Sequence, residues 1–413
     1  MHRRSRLLAA ALGALILVGA VGGLLVTGVL KPNLTGSTGT TPGGSSTTPA
    51  PGEPTSQPTP VPKPGHEVYG YVPYWEMDAS IAGHVAGTDL TTLALFSVTN
   101  KRNGTLDTAQ RGYQRITGAI GQQLIADAHA RGTRVELVFS SFGLDKNKRL
   151  FGGPVTTQDR LIAGLVELLG QTKADGVNVD VEQLDPGLVT AYGDFVARLR
   201  AATTAADPKA QVSVATSANL GGAAMAVAST AAGVDRIFLM GYDYHWSGSA
   251  PGASSPIVRR DGDPKSLTWS LDLYESLGVP VQRTLLGLPF YGMAWPVDGP
   301  EVAAPHTGKG TAWIPSDHLD LLRDPAVVPV LDEIEQVDVY TLPTDKTGGI
   351  AVGVAKPAGW LAIYVDSAAT LTPKLAMADA RGLAGAGFWA IGYERGVPEF
   401  TALIERFRAG KLK

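Results

Sequence analysis

Cysteine is absent from all 413 residues, which removes disulfides, thiolate metal ligands and cysteine nucleophiles together. A chain of this length buries a large core without such staples, so any chemistry must come from oxygen and nitrogen groups. Excess charge of one sign is also missing. The formal net charge is −3, with no dense basic stripe beyond the first residues, so no nucleic-acid partner is expected. No glycine-rich phosphate turn follows the first β-branched run at Tyr71, which argues against an open dinucleotide-binding sheet. No internal repeat is visible.

What is present begins with His2, Arg3, Arg4 and Arg6, followed by an uncharged stretch from Leu7 to Leu30 that Lys31-Pro32 closes. That stretch is long enough to span a bilayer, so residues 1–31 are expected to be a signal-anchor or a cleaved signal peptide. The basic start would stay inside the cell. Everything after Lys31 would then be extracytoplasmic, either anchored by a single N-terminal pass or secreted. Residues 32–65 are almost entirely Thr, Ser, Pro and Gly, too poor in apolar groups to repay ordering entropy, and read as a disordered tether. Such a tether spans roughly 30 Å as a coil and roughly 100 Å as polyproline II.

From residue 66 to 413, short β-branched runs alternate with longer Ala- and Leu-rich stretches of helical spacing. Eight strands are expected: Glu67–Tyr71, Leu93–Ser97, Arg134–Ser140, Gly176–Glu182, Gln211–Thr216, Arg236–Gly241, Thr284–Pro289 and Ala386–Ile391. Ile120–Arg131, Asp159–Lys173, Pro186–Ala206 and Pro264–Leu277 are expected helices. Repeated βα units of this number predict an α/β chain folded as a (β/α)₈ TIM barrel. About ninety-five residues separate the last two strands, more than a helix and two loops require. A small α+β insertion is therefore expected over about 293–363, with Gln336–Thr341 and Gly349–Val354 as its short extended runs.

The most informative segment is Asp175-Gly176-Val177-Asn178-Val179-Asp180-Val181-Glu182. Side chains alternate along a strand, so Asn178, Asp180 and Glu182 share one face and the three valines the other. Both faces of a parallel barrel are covered, which makes an interior polar row costly unless it has a use. The row climbs toward the C-terminal end of its strand, where barrel enzymes carry their catalytic groups. Two carboxyls two residues apart on one face resist ionising together, so Glu182, the outermost, is expected to keep a raised pKa and to donate a proton. A purely structural network would also accommodate the row. A divalent cation would too, although the glycine-containing turn of a calcium loop is missing and no metal site is expected.

The segment resembles the fourth strand of family 18 glycoside hydrolases, the chitinase-like enzymes, which carry Asp-x-x-Asp-x-Asp-x-Glu. Asp175, Asp180 and Glu182 match it. Asn178 replaces the second acidic position, as in spore-cortex-lytic and related bacterial wall-associated members. Gly70-Tyr71-Val72-Pro73-Tyr74-Trp75 resembles the first-strand signature, Phe96-Ser97 the second, Met240-Gly241-Tyr242-Asp243-Tyr244 the sixth, Leu288-Pro289-Phe290-Tyr291-Gly292 the seventh and Gly387-Phe388-Trp389 the eighth. The third strand departs from the family, with Ser141-Phe142-Gly143-Leu144 in place of Ser-x-Gly-Gly.

The resemblance implies retaining hydrolysis of β-linked N-acetylglucosamine glycans, peptidoglycan or chitin, in which the substrate's own acetamido group is the nucleophile. It makes Glu182, Asp180 and Tyr242 catalytic. Glu182 would be the acid and then the base, Asp180 would orient the acetamido group, and Tyr242 would donate to the acetamido oxygen. Asn178, Asp243, Trp389, Tyr71, Trp75, Tyr291 and Trp246 are the expected substrate-binding residues, Trp389 forming the floor. His245, beside the sixth-strand motif, is expected to be a partnered histidine in the surface cleft. The partners implied are an N-acetylglucosamine-containing polysaccharide and, through the N-terminal segment, a membrane. No cofactor is implied, and a monomer is expected. The competing reading is a non-catalytic, carbohydrate-binding member of the same family.

Overall fold

A computed structural model describes residues 65–412. Residues 1–64, with the expected membrane segment and nearly all of the tether, lie outside the described residues. Among the described residues no helix is long and apolar enough to cross a membrane.

Eight parallel strands close into a barrel in the order β1-β13-β7-β6-β5-β4-β3-β2. They are β1 (Glu67–Pro73), β2 (Thr92–Val98), β3 (Arg134–Phe142), β4 (Gly176–Glu182), β5 (Gln211–Ser217), β6 (Arg236–Met240), β7 (Thr284–Pro289) and β13 (Gly385–Trp389). The outward valines of β4 are at most 1% exposed beneath the surrounding helices, so the strand is covered on both faces. Helices Ala119–Ala130, Val155–Thr172, Val189–Ala206 and Leu267–Ser276 form where helical spacing predicts them. The last expected strand is displaced slightly toward the N-terminus. The chain turns at Gly392, whose φ of +108° suits a residue without a Cβ.

The barrel interior is packed. Tyr69, Tyr71, Ala94, Phe96, Val138, Ala215, Phe238 and Leu285 form one buried cluster inside it. Phe238 lies so close to β13 that a Cβ on Gly387 would stand 2.6 Å from its ring. At the N-terminal end Arg236 Nε donates to Glu67 Oε2 at 2.7 Å, closing the floor with a two-pronged ion pair.

Between β7 and β13 the chain builds a second sheet, antiparallel, in the order β10-β11-β12-β8-β9. Its strands are β8 (Gly292–Val297), β9 (Thr311–Trp313), β10 (Val330–Asp332), β11 (Val337–Thr344) and β12 (Gly359–Val365). The run Gly349–Val354, expected to be extended, is a turn segment holding only an isolated bridge from Ile350 to Thr344. Gly353 sits at φ +81°, which ends an extended run, and the partner of β11 is β12, further along the chain.

Candidate active site

The polar row of β4 points into the barrel as a graded series. Asn178 is fully buried, Asp180 is 5% exposed, and Glu182 reaches the mouth partly exposed. Burial, and then the charge of Glu182, hold the Asp180 carboxyl well above the ordinary range. Burial, and then the charge of Asp243, push Glu182 up to about 7. A glutamic acid still protonated near neutrality is what a proton donor requires. Asp180 Oδ1 is buried and has no hydrogen-bond partner among the described residues. A buried carboxyl oxygen without a hydrogen-bond partner is costly, and this one belongs to the row that opens into the cleft.

Below Asp180 the row is fully partnered. Tyr71 donates to Asn178 Oδ1 at 3.2 Å, and Asn178 Nδ2 donates to Ser213 Oγ at 2.7 Å. Ser213 donates in turn to Glu136 Oε2, which also accepts from the Tyr69 hydroxyl at 2.7 Å. Glu136, 1% exposed, is a barrel-interior carboxyl that the sequence reading passed over. The alternation that singled out β4 applies equally to Arg134–Ser140 and places Glu136 inside. Tyr71, expected as a sugar platform, is 2% exposed and supports Asn178 instead of offering a face to the cleft.

The end of β4 is pinned from outside the barrel. Asn147, on the helix Leu144–Phe151, donates from Nδ2 to the Glu182 carbonyl at 2.5 Å and accepts from Ser141 Oγ at 2.7 Å. Gly143, at φ +97°, supplies the turn that starts this helix. Its backbone N–H also donates to the Glu182 carbonyl, at 3.3 Å. The unusual third-strand sequence thus serves the position of Glu182.

The outlet of β6 delivers Tyr242 and Asp243. Asp243 adopts φ +62°, a conformation that aspartate tolerates better than most residues, and its backbone N–H donates to Ser254 Oγ at 3.1 Å. Burial raises Asp243 to about 6 against the opposing effect of hydrogen bonds from Tyr291 and Ser254. The tyrosine that engages its carboxylate is Tyr291, at 2.5 Å, not its neighbour Tyr242. Tyr242 packs edge-on against Tyr291 with ring centroids 6.2 Å apart. Burial raises the Tyr242 phenol well above its usual range, and charge on Tyr71, Asp180 and Asp243 adds to the effect. This phenol stays protonated.

Trp389 closes the barrel axis, partly exposed. Phe96 meets it edge-on at 4.7 Å, and Trp75 lies 6.2 Å away. Trp75 is fixed by its indole N–H, which donates to the Tyr393 hydroxyl at 3.1 Å. The peptide bonds Phe96–Ser97 and Trp389–Ala390 are both cis. Trp246 makes no ring contact with this cluster. It lies in the loop that reaches the insertion through the hydrogen bond from Ser247 Oγ to the Gly310 carbonyl, 2.5 Å long. His245 is partnered as expected but 1% exposed rather than in a surface cleft, because Glu335 of the insertion closes over it at 3.1 Å. Among the described residues no group of three or more His, Asp or Glu side chains could hold a metal ion.

Solved structures share the fold, and curated proteins share parts of the sequence. Chitinase 63 of Streptomyces plicatus is 29% identical over 178 residues, 42% of this chain and 27% of that protein. The chain spans 11% to 27% of the length of the curated relatives it matches. The spore cortex-lytic enzyme SleL of Bacillus cereus superposes with a TM-score of 0.64 at 20% identity, over 84% of this chain and 75% of that one. A family 18 chitinase of Cycas revoluta, solved with (GlcNAc)3, gives 0.67 at 15% identity, over 84% of this chain and all of that one. The sequence profile described as Glycosyl hydrolases family 18 matches residues 67–394. That match takes in the whole barrel and its insertion, and the chain belongs to glycosyl hydrolase family 18.

Proposed function

We propose that this protein hydrolyses β-glycosidic bonds in N-acetylglucosamine-containing glycans by a substrate-assisted, retaining route. The observation that carries the reading is the buried, unpartnered oxygen of Asp180 on the same strand face as Glu182, whose carboxyl burial pushes up to about 7. In this reading Glu182 gives its proton to the glycosidic oxygen, and the C1–O bond breaks with its electron pair going to the departing sugar. The acetamido carbonyl oxygen of the sugar that carries C1, not of the departing one, bonds to that C1 and forms an oxazolinium ring. Asp180 accepts the acetamido N–H and offsets the positive charge as it develops, while the protonated Tyr242 donates to the acetamido oxygen. Glu182, now ionised, takes a proton from water as that water attacks C1 and opens the ring, so configuration at C1 is retained.

Trp389 would form the apolar floor under the reacting sugar, with Trp75 beside it. Asp243 and Tyr291 would act as a unit on sugar hydroxyls. The tether reading of residues 32–65 keeps the barrel close to an extracytoplasmic membrane face, which favours wall peptidoglycan over chitin as the polymer met there. The test is product analysis by mass on chitin oligosaccharides and on purified wall glycan, with Glu182→Gln alongside. New reducing ends whose masses report the cleaved bond, lost in Glu182→Gln, are expected. Saturable binding without turnover by the unaltered protein would replace this reading with the carbohydrate-binding one.

A further inference from the structure

On β4 the residue below Asp180 is an amide, Asn178. The barrel holds a carboxyl on the same network, on β3: Glu136, linked to Asn178 through Ser213. The hydrogen-bond chemistry of this chain gives it a direction. A carboxyl oxygen that carries no proton only accepts, as Glu136 Oε2 does from both Ser213 and Tyr69, and a serine hydroxyl has a single proton. If Ser213 donates that proton to Glu136, its oxygen must accept from Asn178, so Nδ2 faces Ser213 and Oδ1 faces Tyr71. Tyr71 must then spend its own proton on Oδ1. The observed contacts follow this order at every step. Without a fixed acceptor at the bottom, the chain can run the other way. Ser213 would donate upward, the amide would turn over, and the Tyr71 hydroxyl would be free to donate to Asp180, whose carboxylate already opposes ionisation of that phenol.

We infer that Glu136 is a positioning residue that sets the proton direction along Ser213, Asn178 and Tyr71, and so keeps Asp180 without a donor from below and available to the substrate's acetamido N–H. The inference rests on the hydrolytic reading above. Burial raises the Glu136 carboxyl above its ordinary range, hydrogen bonds from Ser213 and Tyr69 oppose that rise, and several further groups face it. Tyr69 approaches from β1, Arg134 lies on its own strand, and Asp235 and Arg236 come from the start of β6. Tyr71, further up β1, feels the Glu136 charge as well.

The experiment is steady-state hydrolysis of an N-acetylglucosamine oligosaccharide across pH by four proteins: unaltered, Glu136→Gln, Asn178→Asp and the double variant, with thermal unfolding of each. Glutamine can donate to Ser213 and reverse the chain. Glu136→Gln is expected to lower kcat about tenfold, the worth of one misdirected hydrogen bond, with a smaller change in KM. Its acid limb should move to lower pH, because Asp180 gains a donor. Asn178→Asp puts two acceptors on one serine proton and should lose activity. Adding Glu136→Gln to Asn178→Asp should recover part of that loss, since Ser213 can then accept from glutamine and donate to the new carboxylate.

Additive losses in the double variant, or a Glu136→Gln profile superimposable on the unaltered one, would overturn the inference. So would a deficit that follows thermal stability alone, and Glu136→Met guards against that case. Methionine removes both the acceptor and the donor, and should lower kcat less than glutamine does while folding normally; equal or greater loss in folded protein counts against the directional account. If the unaltered protein releases no reducing ends, the hydrolytic reading itself has failed. That result is distinct from an active protein indifferent to Glu136.

Discussion

Tyr291 donates its hydroxyl to Asp243 Oδ1 at 2.5 Å, and that bond links a tyrosine on the β7 side of the barrel to the carboxylate whose charge, after burial, raises the pKa of Glu182 on β4. Burial raises both carboxyls; the Tyr291 bond partly opposes that rise at Asp243, and the Asp243 charge adds to it at Glu182. Tyr291→Phe should let Asp243 take up a proton more readily, and the pKa of Glu182 should then fall. Asp243→Asn removes the charge outright and acts in the same direction. Because Glu182 must be protonated to act, its titration defines the alkaline limb of kcat/KM, near 7 in the unaltered protein. Both variants should move that limb to lower pH, Asp243→Asn further than Tyr291→Phe. A limb that stays in place in both would show that Asp243 does not govern Glu182.

Glu182 should also cost stability at neutral pH. Its folded-state pKa lies above that of an exposed glutamate, so between the ordinary carboxyl range and about 7 the folded protein holds a proton that the unfolded chain has released. Stability therefore declines as pH rises through that window. Glu182→Gln removes this dependence and should stabilise the fold at pH 8 by about 1–2 kcal/mol, discounted because the side chain is partly exposed. At pH 4, where both states are protonated, the two proteins should be alike. Urea unfolding at the two pH values measures the difference, and equal stabilities at pH 8 would mean that solvent relieves the burial of Glu182.

The strands and the row Asn178, Asp180 and Glu182 were legible because a parallel barrel covers both faces of each strand, which makes every interior polar side chain conspicuous. Glu136 was equally legible by that rule and was missed because it stands outside any familiar motif. Other features depend on closure and not on local pattern. Asn147 and the Glu182 carbonyl are 35 residues apart in the chain, and Tyr291 and Asp243 are 48 apart. Strand alternation says nothing about which side chains meet at such separations. The burial of His245 depends on Glu335, 90 residues further on, so a reading of its neighbours alone left it at the surface. Gly349–Val354 was misread because alternating valines there are exposed loop residues. Val352 and Val354 are 48% and 43% exposed.

Asn147 holds the main chain at Glu182, and it should matter to turnover more than to affinity. Asn147→Asp keeps the size and the acceptor for Ser141 but replaces the amide donor with an oxygen facing the Glu182 carbonyl. Loss of that buried bond should cost about 1–3 kcal/mol of stability. A displaced Glu182 should lower kcat about tenfold or more, since small misplacements of an acid are expensive, with KM changed less. Kinetics on folded protein at low temperature separate the two effects. A fall in stability with kcat retained would confine Asn147 to a structural role.

The insertion is fastened to the barrel by a buried ion pair, and breaking one half of that pair should be worse than removing both. Lys374, on the helix Ala368–Ala380, is fully buried; its Nζ donates to Asp366 Oδ1 at 2.5 Å and to Ser255 Oγ at 3.1 Å. Asp366 follows directly on β12, and its other oxygen accepts from Ser255 at 2.9 Å. The pair therefore joins the second sheet, a barrel helix and the loop after β6. Lys374→Met leaves a carboxylate buried without its cation, which costs about 3–5 kcal/mol, whereas replacing both partners with apolar residues is often close to neutral. Lys374→Met alone should lower Tm by roughly 5–10 °C in a chain of this size, and adding Asp366→Leu should restore part of the loss. If the double variant is instead less stable than either single one, the bonds to Ser255 and Thr370 outweigh the charge, and the fastening is a hydrogen-bond network with the ion pair as a minor part.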